Sequence, residues 1–553
     1  MGAACLALWA SRRNDGAGFE IDILDRSIAD AGSDRAILDA IAAARPDVLG
    51  VTLYVWNVVR SRYLIREAKR FLPRLAVIAG GPEAVSGRPD LFDGGIDAAV
   101  QGEGENAFAN FLARLDSGGD PRDAGSFAMT PGLLLPPERR GAPVRATGPA
   151  EPLASLDQLG SPYPAGWIDA ARDRFLYLET TRGCKFHCTF CRYDADVGGP
   201  LKTLSLPRVE EILGHAAEKG VREVFLLDPT LNQRPDTRDL LRVLDRGNPP
   251  APGGGKSFRY GGELVAELID EETADLLARA GFHTVEVGLQ STNPMTLRLI
   301  ERFHHAKRFL SGVRLLTERG IRVRVDLIVG MPAETLGSMK RAVDFVAESG
   351  IGRDVQVFEL MVLPGTALAG QADSFGIEHL DRPPYTVIRT PTMSEEDIAE
   401  AVAYSEKRLG VSWTPAVRLR RFRIEERIDV DSAGQWRRRL AGHRLNFLAL
   451  SARALDIARA VEEVRAPLEV WLAANPFASV DVILEAGRPA ALEGIERLVE
   501  AIQPVPETLG AAVHRRVWSV VPPEARSRLG KAWIERARRF SLVKYERRAG
   551  SLI

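Results

Sequence analysis

A chain of 553 residues, 45% hydrophobic and 27% charged, is too long for one ordinary core and implies about three domains at roughly 100–200 residues each. A formal net charge of -1 argues against a nucleic-acid partner, the short run Arg437 to Arg439 reading as a solvated helix face, and no apolar stretch reaches the roughly 20 residues that cross a bilayer. Three of the four cysteines fall within eight residues, the reverse of a disulfide framework, so a soluble cytoplasmic protein with no nucleic-acid or membrane partner is expected.

The chain opens as a helix, without the charged-then-apolar pattern and cleavage site of a targeting peptide. Cys5, inside the apolar run Ala3 to Ala10, reads as a buried structural thiol. Apolar segments at Phe19 to Leu24, Val48 to Tyr54, Leu75 to Ala79 and Ile96 to Val100 alternate with helical patterns at Asp34 to Ala43 and Arg60 to Phe71. This βα alternation predicts an α/β domain over residues 1–116 with a doubly wound, Rossmann-like, mostly parallel sheet. Such a sheet normally opens with a strand, so a late start codon or a missing first strand is expected.

Residues 117–170 are rich in Pro and Gly and read as a linker with room for a short hairpin. Over 171–393 a second βα series follows, with strands at Phe175 to Glu179, Val224 to Leu227, Phe258 to Tyr260, Thr284 to Gly288, Val323 to Val329 and Val355 to Met361. Helices at Pro207 to Lys219, Glu271 to Ala280 and Leu336 to Glu348 lie between them. Six such units predict a partial (β/α)6 barrel, whose chemistry belongs on loops after the strands' carboxyl ends. The tail, 394–553, reads as a mostly helical, Arg-rich domain containing Trp413, Trp436, Trp471, Trp518 and Trp533.

The segment Thr181-Arg-Gly-Cys184-Lys-Phe-His-Cys188-Thr-Phe-Cys191 follows the first barrel strand and places three thiols at CxxxCxxC spacing. Thiolates are soft ligands for iron–sulfur clusters or zinc. Three cysteines leave one iron of a four-iron cluster open to an exogenous molecule. A zinc site would recruit His187 as fourth ligand, but His187 adjoins Cys188 and no second C-x-x-C pair follows.

On these residues the sequence resembles the radical S-adenosylmethionine (SAM) superfamily, with Phe190 as the aromatic residue of its CxxxCxΦC motif. The resemblance implies a 4Fe-4S cluster on Cys184, Cys188 and Cys191, SAM chelated to the open iron, and one-electron cleavage to a 5′-deoxyadenosyl radical. It also implies SAM-binding positions. Asp228, in Asp228-Pro-Thr-Leu-Asn232, stands where the family carries a glycine-rich GGE, a departure from the pattern, and Glu263 follows in Tyr260-Gly-Gly-Glu263. Glu286, Gln290 and Ser291 resemble the GxQS strand end, and Gly330 and Pro364 the adenine-side loops.

In the first domain, Gly80-Gly81-Pro82-Glu83 and Gln101-Gly102-Glu103-Gly104-Glu105 each end a predicted parallel strand, where ligands of open α/β sheets bind. Ahead of the cysteine motif, these loops resemble the cobalamin-binding domain of cobalamin-dependent radical SAM enzymes, over roughly residues 1 to 390. That resemblance implies cobalamin contacts at Thr52, Tyr54, Trp56, Gly80, Gly81, Gly102, Glu103 and Gly104. None of the eight histidines precedes His187, so no DxHxxG histidine is available to ligate cobalt from this domain. Thr52, Tyr54 and Trp56, and Arg60 beyond them, are candidates for cobalt's lower face, with core packing the safer reading for Trp56.

The family implies methyl transfer to an unactivated carbon of a small-molecule, natural-product or peptide-like substrate, fed by an electron donor such as flavodoxin or ferredoxin. A radical cyclisation or rearrangement on the same cofactors, and a non-catalytic cobalamin-sensing protein, are the alternatives. A first domain without cobalamin would leave a plain radical enzyme.

Overall fold

The computed structural model describes residues 1–13, 19–139, 142–193, 201–302, 304–351, 354–411, 427–430, 434–454, 457–486, 498–499, 515–521 and 542–545. Packing divides the chain into two compact units. One gathers Met1–Ile21, Gly50–Tyr54 and Val77–Thr414, the other Asp22–Leu49, Val55–Ala76 and Pro415–Ile553.

The first sheet holds β1 (Val48–Thr52), β2 (Ala76–Gly80), β3 (Ala98–Val100), β4 (Leu133–Leu135) and β5 (Arg145–Ala146), side by side in chain order. Ala76 N donates to Asp47 O at 3.0 Å and Leu53 N to Gly80 O at 2.7 Å, so β1 and β2 run the same way. β3 is parallel to β2, while β4 and β5 form an antiparallel hairpin within the Pro- and Gly-rich stretch. Among the described strands the order shows no reversal. Phe19 to Leu24 is corrected: its alternation is that of a strand, but it joins no ladder, and Ile23 and Leu24 are exposed. A period-two pattern without a partner leaves its backbone to water.

Six parallel strands build the barrel: β6 (Phe175–Leu178), β9 (Glu223–Leu226), β10 (Arg259–Leu264), β11 (Phe282–Gln290), β12 (Arg322–Val329) and β13 (Val355–Glu359), in the spatial order β13-β12-β11-β10-β9-β6. Val323, Val325, Leu327 and Val329 of β12 share one apolar core with Met339, Ala342 and Val343 of the helix Leu336–Glu348. Period two then leaves Arg324 and Asp326 on the opposite, half-open face. A short hairpin, β7 (Thr181–Arg182) with β8 (Lys202–Thr203), flanks the cysteine loop, and another, β14 (Glu378–His379) with β15 (Val387–Arg389), follows the barrel.

The described part of the tail, 394–553, holds the helices Glu395–Leu409, Gln435–Ala441 and Ile457–Ala474 together with strands. It carries a parallel five-stranded sheet, β16 (Arg427–Val430), β17 (Phe447–Ala454), β18 (Ser479–Ala486), β19 (Arg515–Val521) and β20 (Leu542–Tyr545). Leu448, Leu450, Val480 and Val482 bury against Trp436, Leu468 and Trp471. Trp413 and Trp533 lie outside the described residues. In the same unit Arg60 Nε donates to buried Asp34 at 2.7 Å, and Asp34 also accepts Phe477 N at 2.9 Å. Arg60 therefore neutralises a buried carboxylate and is corrected as a candidate for cobalt's lower face.

Candidate active site

The cysteine loop leaves the carboxyl end of β6 and is pinned from several sides. Thr180 N and Thr181 N donate to Asp228 Oδ1 at 2.7 and 3.0 Å, and the Thr180 hydroxyl donates to Asp228 Oδ2. Gln233 accepts Lys185 N at 2.8 Å and donates to Gly183 O at 3.0 Å. Thr189 N donates to Ile300 O at 3.0 Å, and Arg302 Nη1 donates to Cys188 Sγ at 3.7 Å. No motif marks Gln233, Ile300 or Arg302, and sequence reasoning missed all three. The placement of Asp228 is a correction: both carboxylate oxygens hold the loop's base, so Asp228 is not free to meet a methionine amino group.

All three loop cysteines are free thiols, Cys188 buried and the others half-buried. Burial pushes Cys184 up and Cys191 up to about 11, and each is raised further by neighbouring cysteine thiolates. Metal binding to such thiols would displace their protons. Three soft thiols carried by one loop suit an iron–sulfur cluster. Cys5 is buried apart, its thiol pushed up to about 12 chiefly by burial.

Inside the barrel, carboxylates line up across neighbouring strands. Glu263 of β10 stands in register with Glu286 of β11, and Glu286 accepts Arg324 Nη1 at 2.7 Å. Burial, then the charge of Glu286, pushes Glu263 up to about 7, and burial, Glu286 and Glu263 push Asp326 to about 7. Because the folded pKa of Glu263 lies above its usual value near 4.5, the folded state binds the extra proton, and stability falls as pH rises from about 4.5 through about 7. Glu263→Gln is expected to flatten this window, raising stability at pH 8 by on the order of 1–2 kcal/mol, read in urea melts at pH 5 and pH 8.

Phe190 packs half-buried on the barrel core. Gln290, with φ of 65°, ends β11 at a register shift, and its Oε1 is buried without a hydrogen-bond partner. An orphaned acceptor at a barrel mouth fits a ligand that donates, such as a ribose hydroxyl. Ser291 is corrected: its hydroxyl donates to buried Glu334 and accepts Asn293 N at 3.0 Å, which stiffens the turn. Gly330 packs closely on β15, where a Cβ would sit 2.6 Å from Val387 Cγ1. Pro364 is half-buried in the turn where Arg192 Nη1 donates to Gly365 O at 3.3 Å.

In the first sheet the ends of β1, β2 and β3 lie along one edge. Thr52, Gly81 and Gly102 are exposed there, Tyr54 and Gly80 half-buried. Gly81, at φ +98°, lets its loop close on β1, since a Cβ would meet Leu53 O at 2.7 Å. This shelf of small side chains fits a flat ligand. Glu103 is corrected: Lys202 Nζ holds both its oxygens at 2.7 Å and Arg182 Nη1 donates at 3.2 Å. Burial opposes its charge, yet these cations keep the carboxyl below its usual range. A Cβ at Gly104 would press on Leu6 at 3.1 Å. Trp56 is 65% exposed, which removes its reading as core.

The profile of the Radical SAM superfamily matches residues 178–346, and that of the B12 binding domain matches 10–112. The chain carries a radical SAM domain and a B12-binding domain. Its two domains imply a 4Fe-4S cluster, SAM and cobalamin as cofactors. The chain is 30% identical over 343 residues to 2-(S-pantetheinyl)-carbapenam-3-carboxylate methyltransferase of Streptantibioticus cattleyicolor, covering 58% of this chain and 48% of that one. It is 29% identical to the cobalamin-dependent radical SAM methyltransferase TokK of Streptomyces tokunonensis, with the same coverage of 58% and 48%. The chain thus spans about half the length of these relatives. Its fold also resembles radical SAM methyltransferase TsrM from Kitasatospora setae, solved with cobalamin and a [4Fe-4S] cluster bound, at a TM-score of 0.56 and 21% identity, over 73% of this chain and 86% of that one. No helix among the described residues is long and apolar enough to cross a membrane.

Proposed function

We propose that the protein is a cobalamin-dependent radical SAM methyltransferase that methylates an unactivated carbon of a small-molecule or natural-product substrate. The observation that carries this reading is the ion-pair node at Glu103. The loop after β3 is tied through Lys202 and Arg182 to the hairpin that leads into Cys184, and Arg182 also pairs with Glu105 at 3.0 Å and Glu179 at 2.9 Å. The node supports a cobalamin shelf and a cluster loop held together as one object.

The proposed division gives 1–116 to cobalamin and 171–393 to the cluster and SAM. Cys184, Cys188 and Cys191 would hold the cluster, Phe190, Glu263, Glu286, Gln290 and Pro364 would line the SAM side, and Thr52, Tyr54, Gly80, Gly81 and Gly102 the corrin side. When bound, the cofactors supply an adenosyl radical and a transferable methyl group; the protein orients them and excludes water. An external one-electron donor of the flavodoxin or ferredoxin kind and a cytoplasmic location complete the reading, in keeping with four unpaired cysteines.

Anaerobic reconstitution with iron, sulfide and hydroxocobalamin is expected to give about one corrinoid and about four irons per chain, read by absorbance and metal analysis. Turnover with SAM, reductant and a candidate metabolite pool should release S-adenosylhomocysteine with a methylated product. Release of 5′-deoxyadenosine alone would assign cyclisation or rearrangement instead. Absence of both nucleosides from cluster-loaded protein would leave a sensor.

A further inference from the structure

Cys188 is the most buried of the three loop cysteines, 6% exposed, and has a cation placed on its sulfur. Arg302 Nη1 donates to Cys188 Sγ at 3.7 Å while Nη2 donates to the Gly288 carbonyl of β11 at 2.7 Å. One arm of a planar, permanently charged fork is thus clamped to the barrel, which fixes the direction of the other. The turn that carries it reaches the same loop twice, since Ile300 O accepts the Thr189 N–H at 3.0 Å, one residue beyond Cys188. Arg302 N donates back to Leu297 O at 2.9 Å, and the side chain of His304 bonds buried Glu267 at 3.0 Å, so the turn is braced on both sides.

We infer that Arg302 is a positioning residue that raises the reduction potential of the cluster through the Cys188 sulfur. Reduction adds one electron to a body whose charge is already negative. A fixed positive charge and a hydrogen bond to a ligand sulfur stabilise that added charge more than they stabilise the oxidised state, and burial weakens the screening that would cancel the difference. Hydrogen bonds to the sulfurs and local charge are the protein's means of setting such potentials. Arg302 therefore makes the first electron easier to accept, whatever the substrate. The inference rests on the cluster-binding reading of the cysteine loop.

The test is an anaerobic redox titration of reconstituted full-length protein without SAM or cobalamin, followed by electron paramagnetic resonance, for wild type, Arg302→Gln and Arg302→Met. Both variants are expected to be harder to reduce, with the ratio of reduced to oxidised cluster at a fixed potential falling about tenfold, a shift of about 59 mV. Arg302→Lys, which keeps the charge, is expected to lie between them and wild type. An unchanged potential in either neutral variant loaded with full iron overturns the inference. So does failure of both neutral variants to take up iron while still folded, which would make Arg302 an assembly residue. A wild-type protein that binds no iron would fail the cluster reading itself and is recognised before any variant is compared.

Discussion

Alanine at Cys184, Cys188 or Cys191 is expected to abolish the iron–sulfur absorbance and, with it, all nucleoside release from SAM. The chemistry leaves no substitute. Each cysteine is one of only three loop thiols, and the fourth cysteine, Cys5, belongs to a separate cluster with Leu153 and Leu159. Loss of an outer partner of a metal site typically costs about 10- to 100-fold, and loss of a direct thiolate ligand exceeds that, so activity falls below detection. Iron content per chain and 5′-deoxyadenosine formation are the two measurements. Wild-type iron and nucleoside formation in all three variants would sink the assignment of the loop, and a protein that loads zinc alone would do the same. The raised thiols add a condition: burial and mutual charge keep Cys184 and Cys191 protonated, so cluster assembly releases protons and is expected to run faster at pH 8.5 than at pH 7.

Asp228→Ala is expected to be the most damaging change outside the cysteines. It removes the acceptor for two backbone N–H groups and one hydroxyl at the junction of β6, β9 and the cysteine loop, where Asp228 is 1% exposed and Thr180 and Thr181 are fully buried. Each of the three buried donors left unmet costs about 1–3 kcal/mol, so the sum is roughly 3–9 kcal/mol against a total stability of about 5–15 kcal/mol. Asp228→Asn separates shape from charge. Burial pushes the carboxyl up to about 6, so the charged form is already disfavoured, and the amide oxygen still accepts from the backbone. The amide variant is expected to lose no more than about 1.5 kcal/mol. Urea melts of the apo protein and iron content after reconstitution decide it; equal loss in both variants would show that the negative charge itself holds the loop.

Much of the barrel was legible in the sequence because its signal is local. Val323 to Val329 alternates buried and half-open residues along one strand, and the helix Glu271–Ala280 begins at its N-cap Asp270 and ends at Gly281, so chain neighbours alone announce these elements. The cysteine spacing is local in the same sense. The strands of the tail were missed although Leu448 and Leu450 of Phe447–Ala454, and Val480 and Val482 of Ser479–Ala486, alternate as strand residues do, because the helical, Arg-rich segments around them dominate the pattern. Phe19 to Leu24 erred in the other direction, a clean alternation that found no partner.

The sequence by itself determined the two βα series, the three-thiol loop with a vacant corner, and the absence of any histidine ahead of His187. Only the tertiary structure decided which polar side chains are free for a ligand. Asp228 and Thr180 are 48 residues apart, Glu103 and Lys202 99, and Ser291 and Glu334 43, and in each pair the candidate ligand residue is taken by its partner. Buried charge demands satisfaction from whatever the fold brings near, and that neighbour is set by how strands and helices pack, over distances no motif spans. Gln290, whose oxygen the packing leaves unmet, and Arg302, whose charge the packing aims at a sulfur, owe their roles to the same long-range pairing.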